Sequence, residues 1–128
     1  MLLVERDRAS RATLARALEE SGHTVDCVGS LNAATDALHR SEVVITDTMS
    51  PTLASASALV LVTSGDTSED ARVKAFEEGA DDLVVRPLSL REVVLRVRAL
   101  LRRKRRAEEF SDIIEVGNVL RIDRSALR

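Results

Sequence analysis

Short apolar runs alternate with amphipathic stretches along most of the chain, and the two periods can be told apart by eye. Leu2–Val4 is a continuous apolar run and reads as a buried strand. Asp7 can cap a helix from about Arg8 to Ser21, which Gly22 ends. His23–Val28 instead alternates, with Val25 and Cys27 on one face and Asp26 on the other, as expected of a strand at a sheet edge. Ser30 can cap a short helix to about His39, and Val43–Thr46 and Leu59–Val62 are further buried strands. A helix is expected from near Asp66 to Gly79, then a last strand at Leu83–Val85. Ser89 and Glu92 form a capping-box pattern. Behind it Leu90, Val93, Val94, Val97, Leu100 and Leu101 share one helical face. Strands alternating with helices in this way predict an α/β fold, a doubly wound parallel five-stranded sheet.

Two places break the pattern. Only ten residues, TMSPTLASAS, separate Asp47 from Ala58. A parallel crossover normally needs a dozen or more with a helix inside. The crossover helix between the third and fourth strands is therefore expected to be lost or shortened, which uncovers one sheet face and favours a binding or dimer surface there. Past Arg106, AEEFSD reads as a linker, and IIEVGNVLRID as two short strands around Gly117-Asn118. Such strands cannot stand alone. The expected division is a first domain over 1–104, a linker over 105–111, and the start of a truncated second domain over 112–128.

Composition narrows the class without naming a function. Hydrophobic residues are 45% and charged residues 31% of the 128, as in globular chains. No apolar run is long enough to span a bilayer, and an acid at position 5 excludes a secretory signal. The lone Cys27 suits a reducing cytoplasm and is expected as a small core residue. Net charge is −2, yet nine basic residues and one acid, Glu92, lie between Arg86 and Arg106, ending in RRKRR. That run fits either a helix C-terminus, whose dipole favours cations, or attraction to nucleic acid phosphates.

In open parallel sheets chemistry gathers beyond the carboxyl ends of the strands. Those ends carry Glu5 and Arg6, Asp47, Thr63, and Arg86-Pro87. VITDTMSP, with Asp47 closing a buried strand, resembles the receiver-domain segment that bears the phosphoaccepting aspartate of bacterial response regulators. VTSGD around Thr63 resembles the strand whose hydroxyl contacts the phosphoryl group. GADDLVVRPLSLREVVLRVRALLRR (79–103) is similar to the closing strand and helix of that family, and IIEVGNVLRID to the opening of the winged-helix domain that follows the receiver in one subfamily (OmpR/PhoB-like). The resemblance covers residues 1 to about 104. It implies a flavodoxin-like (CheY-like) receiver fold and a cis bond between Arg86 and Pro87. An enzymatic role is not expected, since Met49 stands where a phosphatase using Asp47 would want a second acid, and the sequence has no Gly-rich phosphate loop or His-centred triad.

Three departures from the family pattern stand out. The acidic pair that helps hold Mg²⁺ is Glu5-Arg6 here, and the lysine before the proline is Arg86. Glu5, Asp47, Arg6 and Arg86 sum to zero charge, so Mg²⁺ binding is expected to be weak or absent. The two arginines are expected to form an internal ion-pair set with the two acids. The crossover helix is short, as above. The switch aromatic of the last strand falls at Leu83, and the chain has no tyrosine.

The family's dimer face maps onto Arg72, Val73, Phe76, Glu77, Asp81, Asp82, Glu92, Leu95, Arg96 and Arg98, with Arg72–Glu92 and Asp82–Arg96 as candidate reciprocal pairs. The leading expectation is a cytoplasmic, atypical receiver that dimerises without phosphorylation and controls transcription. DNA would be bound through a C-terminal domain, and a histidine kinase is a possible partner. The alternatives are a module sensing a small anion through Arg6 and Arg86, or a conventional phosphoaccepting receiver.

Overall fold

The computed structural model describes residues 1–120, with side chains through residue 113. Five strands form one all-parallel sheet: β1 (Leu2–Val4), β2 (Asp26–Val28), β3 (Val43–Thr46), β4 (Leu59–Ser64) and β5 (Asp82–Val85). Their order is β2-β1-β3-β4-β5. β1 and β3, the continuous apolar runs, are buried throughout, whereas the alternating β2 is the edge.

Helices α1 (Arg8–Glu20) and α5 (Leu90–Leu120) cover one face. Leu14 and Leu18 of α1, with Val93, Val97 and Leu100 of α5, pack there against Leu3, Ile45, Leu61 and Val84. The other face carries a 3₁₀ turn (Leu31–Ala33), α2 (Thr35–Arg40), α3 (Pro51–Ser55) and α4 (Glu69–Glu77). The crossover helix α3 is a bare turn. Ser50 caps it by accepting from the Leu53 amide, and only Leu53 is buried. The buried cluster of that face includes five alanines, Ala34, Ala37, Ala58, Ala75 and Ala80. Gly79, at φ +107°, closes α4 against it, where a Cβ would meet the Ala54 methyl at 3.2 Å.

Several boundaries differ from expectation. β2 begins at Asp26, because the chain leaves α1 through a left-handed Gly22 and needs the next residues to reach the edge. Cys27 is exposed on that edge strand instead of lying in the core. Ser30 makes no side-chain cap, and α2 starts at Thr35. α4 starts at Glu69 because Ser68, and not Asp66, caps it by accepting from the Ala71 amide.

The largest difference is at the C-terminus. α5 runs on as helix through the 105–111 stretch read as a linker and through residues 113–120, where short strands were expected. Ala, Leu, Arg, Lys and Glu favour helix, and no Pro or Gly interrupts before Gly117. Two strands with no sheet to join have nothing to outcompete that preference. Residues 121–128, the rest of the expected strand pair, lie outside the described residues.

Asp7 caps α1 as expected, accepting from the Ser10 amide at 2.8 Å. The Ser10 amide and hydroxyl hold its carboxyl below the ordinary carboxylate range. A carboxyl lowered by folding stabilises fully above its unfolded pKa, about 4, and stops doing so as pH falls through the lowered value. Asp7→Asn keeps the acceptor but not the charge, so its urea midpoint is expected to fall less than the wild type's between about pH 6 and 2.5. Parallel curves would contradict this.

Candidate functional site

Glu5, immediately after β1, is 5% exposed. Its carboxylate accepts from the Arg86 guanidinium at 2.9 Å and from the Asp7 amide at 3.1 Å. The same Arg86 Nη2 donates to the Thr63 hydroxyl at 3.1 Å, and Thr63 is 3% exposed. Arg11, one turn into α1, donates to the Glu5 carbonyl at 2.9 Å. One guanidinium thus ties the carboxyl ends of β1, β4 and β5 together. The bond between Arg86 and Pro87 is cis, as the resemblance implied.

The other half of the expected ion-pair set does not form. Arg6 is exposed and has no carboxylate within 4 Å among the described residues. Asp47 is also exposed, and its carboxylate accepts only from the Thr48 hydroxyl, at 3.1 Å. Successive side chains leave a strand end on opposite sides, so Glu5 turning inward sends Arg6 outward. There its charge keeps its hydration, which a pair in a buried site would forfeit.

Mg²⁺ is the cation that the resemblance implies for this end of the sheet. The ion takes near-octahedral oxygen ligation from several carboxylates and waters. Glu5 is engaged by Arg86, position 6 is a cation, and Asp7 is a helix cap turned to Ser10. No three His, Cys, Asp or Glu side chains converge among the described residues.

Beside Asp47 opens a cleft of about 780 Å³ between β4 and α4. Val62, Leu83 and Met49 give it an apolar floor, and Leu83 fills less of it than an aromatic would. Its rim carries Asp47, Asp66, Asp70 and Glu78 against a single cation, Lys74, which lies 3.9 Å from Glu78. Hydrogen bonds from Ser68 keep the Asp66 carboxyl below the ordinary carboxylate range. Neither Arg6 nor Arg86 lines this cleft.

Two residues of the face expected to dimerise are turned to partners within the chain. Val73 and Phe76 on α4 and Leu95 on α5 are 45%, 44% and 51% exposed. Arg72, Glu77 and Arg98 are exposed around them. Asp81, however, turns inward and accepts from the Val60 amide at 2.7 Å, which fixes the start of β4. Arg96 pairs with Asp82 at 3.1 Å and with Glu92 at 2.9 Å within the chain. Glu92 first, and then Asp82, push the Arg96 pKa further up. Sequence reasoning missed Arg11 and the inward turn of Asp81. Only the spacing of Arg11, one turn past the Asp7 cap, hinted at its reach.

No protein-family model matches the chain. It is similar to the transcriptional regulatory protein PrrA of Mycobacterium tuberculosis, 36% identical over 133 aligned residues that cover 91% of this chain and 56% of that protein. The response regulator MprA of Mycolicibacterium vanbaalenii is 34% identical over 116 residues, covering 80% and 50%. The receiver domain of the Francisella response regulator 1452 superposes with a TM-score of 0.70 at 19% identity, covering 80% of this chain and 96% of that one. HP1043, an orphan response regulator of H. pylori, superposes with a TM-score of 0.68 at 27% identity, covering 78% and 93%. The chain spans about half the length of the curated relatives it matches.

Proposed function

We propose that this chain, a receiver domain of the response-regulator family, is the regulatory part of a DNA-binding transcriptional regulator that dimerises without phosphorylation. The observation that carries the reading is the commitment of Arg86 to Glu5 and Thr63. The hydroxyl and one of the carboxylates that phosphotransfer would need are both engaged from inside the fold. Arg6, standing where the family has a second acid, adds a positive charge where a dication would have to bind. The chemistry of Asp47 thus lacks its usual charge clamp.

On this reading residues 1–104 are the regulatory domain, 105–111 connect, and 112–128 begin the DNA-binding domain of the whole protein. The PrrA relative is described as a transcriptional regulatory protein, which supports that partner. The molecule acts in the cytoplasm, as a regulator and not as an enzyme, and a histidine kinase is dispensable to it. No helix among the described residues is long and apolar enough to cross a membrane.

Dimerisation uses Val73, Phe76 and Leu95, whose exposed apolar area suits a twofold contact. Light scattering is expected to give a dimer mass that does not change on adding Mg²⁺ and a small phosphodonor. Phe76→Glu or Leu95→Glu should give a folded monomer, since a charge at the centre of such a contact has no partner. A dimer that assembles only after the phosphodonor would overturn the reading.

A further inference from the structure

Within the basic run at 102–106 only the Lys104 side chain has a hydrogen-bond partner among the described residues. The run's expected role at a helix C-terminus does not hold, because α5 continues to Leu120 and places the run well before the last turn. Nor is it neutralised by neighbours. Among the described residues no acid lies within 4 Å of Arg98, Arg102, Arg103, Arg105 or Arg106, although Glu109 sits one turn from Arg105. Lys104 alone turns inward, donating to the Ser57 carbonyl at 3.0 Å and so fixing the rotation of the helix. With that rotation set, the arginines at 98, 102, 105 and 106 follow i, i+4, i+7 and i+8 spacing along one exposed stripe. The stripe is roughly 12 Å long at 1.5 Å per residue.

We propose that this arginine stripe of α5, which runs from the end of the regulatory domain into the connecting segment, is a second DNA contact, made to the phosphate backbone. The proposal rests on the regulator reading above. Exposed, unpaired guanidiniums displace counterions from nucleic acid and give affinity without sequence preference. A membrane fits less well. An interfacial helix needs an apolar face between its cations, and residues 102 to 106 are all basic.

The test uses the 128-residue chain, a labelled duplex of random sequence and fluorescence anisotropy over a salt series. Four phosphate contacts predict a slope of log affinity against log salt of about −3 to −4, or roughly a hundredfold loss between about 50 and 200 mM salt. The triple variant R102Q/R105Q/R106Q keeps helix propensity, checked by circular dichroism, and should lose at least tenfold in affinity, with the slope shallower by about 2 to 3. No binding by the wild type at about 50 mM salt, or a variant with the same slope, would overturn the proposal, as would capture by anionic vesicles without capture of duplex. Phosphorylation of Asp47 is read by mass and does not involve these arginines, so failure here leaves the regulator reading to be judged on its own.

Discussion

Arg86→Ala is expected to destabilise the domain by about 2–4 kcal/mol, the largest loss for any charged residue of the site. The Glu5 side chain is 6% exposed and would keep only the Asp7 amide as a partner for its charge. Breaking a buried pair from one side costs about 3–5 kcal/mol, because the remaining charge cannot rehydrate. The Arg86 side chain is 35% exposed, so solvent already screens part of the pair and the value is set lower. The Thr63 hydroxyl would lose its donor as well. Arg6→Ala, by contrast, removes an exposed cation and should change stability by less than about 0.5 kcal/mol. Urea unfolding of both variants separates them. Glu5→Gln combined with Arg86→Ala should recover part of the loss, since no stranded carboxylate remains. Equal effects of Arg6→Ala and Arg86→Ala would remove the Glu5–Arg86–Thr63 link from the account.

The second large effect concerns Arg6→Asp. Reversing this charge changes its interaction with a dication by four unit-pair equivalents, each about 1 kcal/mol at about 4 Å in water. Mg²⁺ affinity should therefore rise by roughly a hundredfold or more, read by isothermal titration. Arg86→Lys, which keeps the cation, should leave Mg²⁺ affinity almost unchanged. If Arg6→Asp binds no more tightly than the wild type, then the charge at position 6 is not what weakens the site.

The sheet was legible because its central strands are uninterrupted apolar runs such as Val43–Thr46, which can only be buried between two helical layers. The start of α5 was legible from Ser89, which accepts from the Glu92 amide at 3.2 Å. The shortened α3 followed from counting ten residues between Asp47 and Ala58. What escaped the sequence was side-chain direction. Nothing in the order of residues says that Glu5 turns toward Arg86 while Arg6 turns to solvent, or that Asp81 caps β4 while Asp82 takes Arg96. Each of those outcomes is decided by which neighbour a carboxylate can reach, and that depends on partners about 80 or 20 residues away. Cys27 and the continuation of α5 failed for a different reason. In each case local pattern was read as burial or strand, while the element had no second layer against which to pack.

The most direct test of the central claim is intact mass after incubation with Mg²⁺ and a small phosphodonor, for the wild type, Asp47→Asn and Arg6→Asp. The account predicts no phosphoryl mass gain in the wild type or Asp47→Asn and a gain in Arg6→Asp. A one-phosphoryl gain in the wild type that Asp47→Asn abolishes would contradict it and make this receiver a conventional phosphorylation-driven switch.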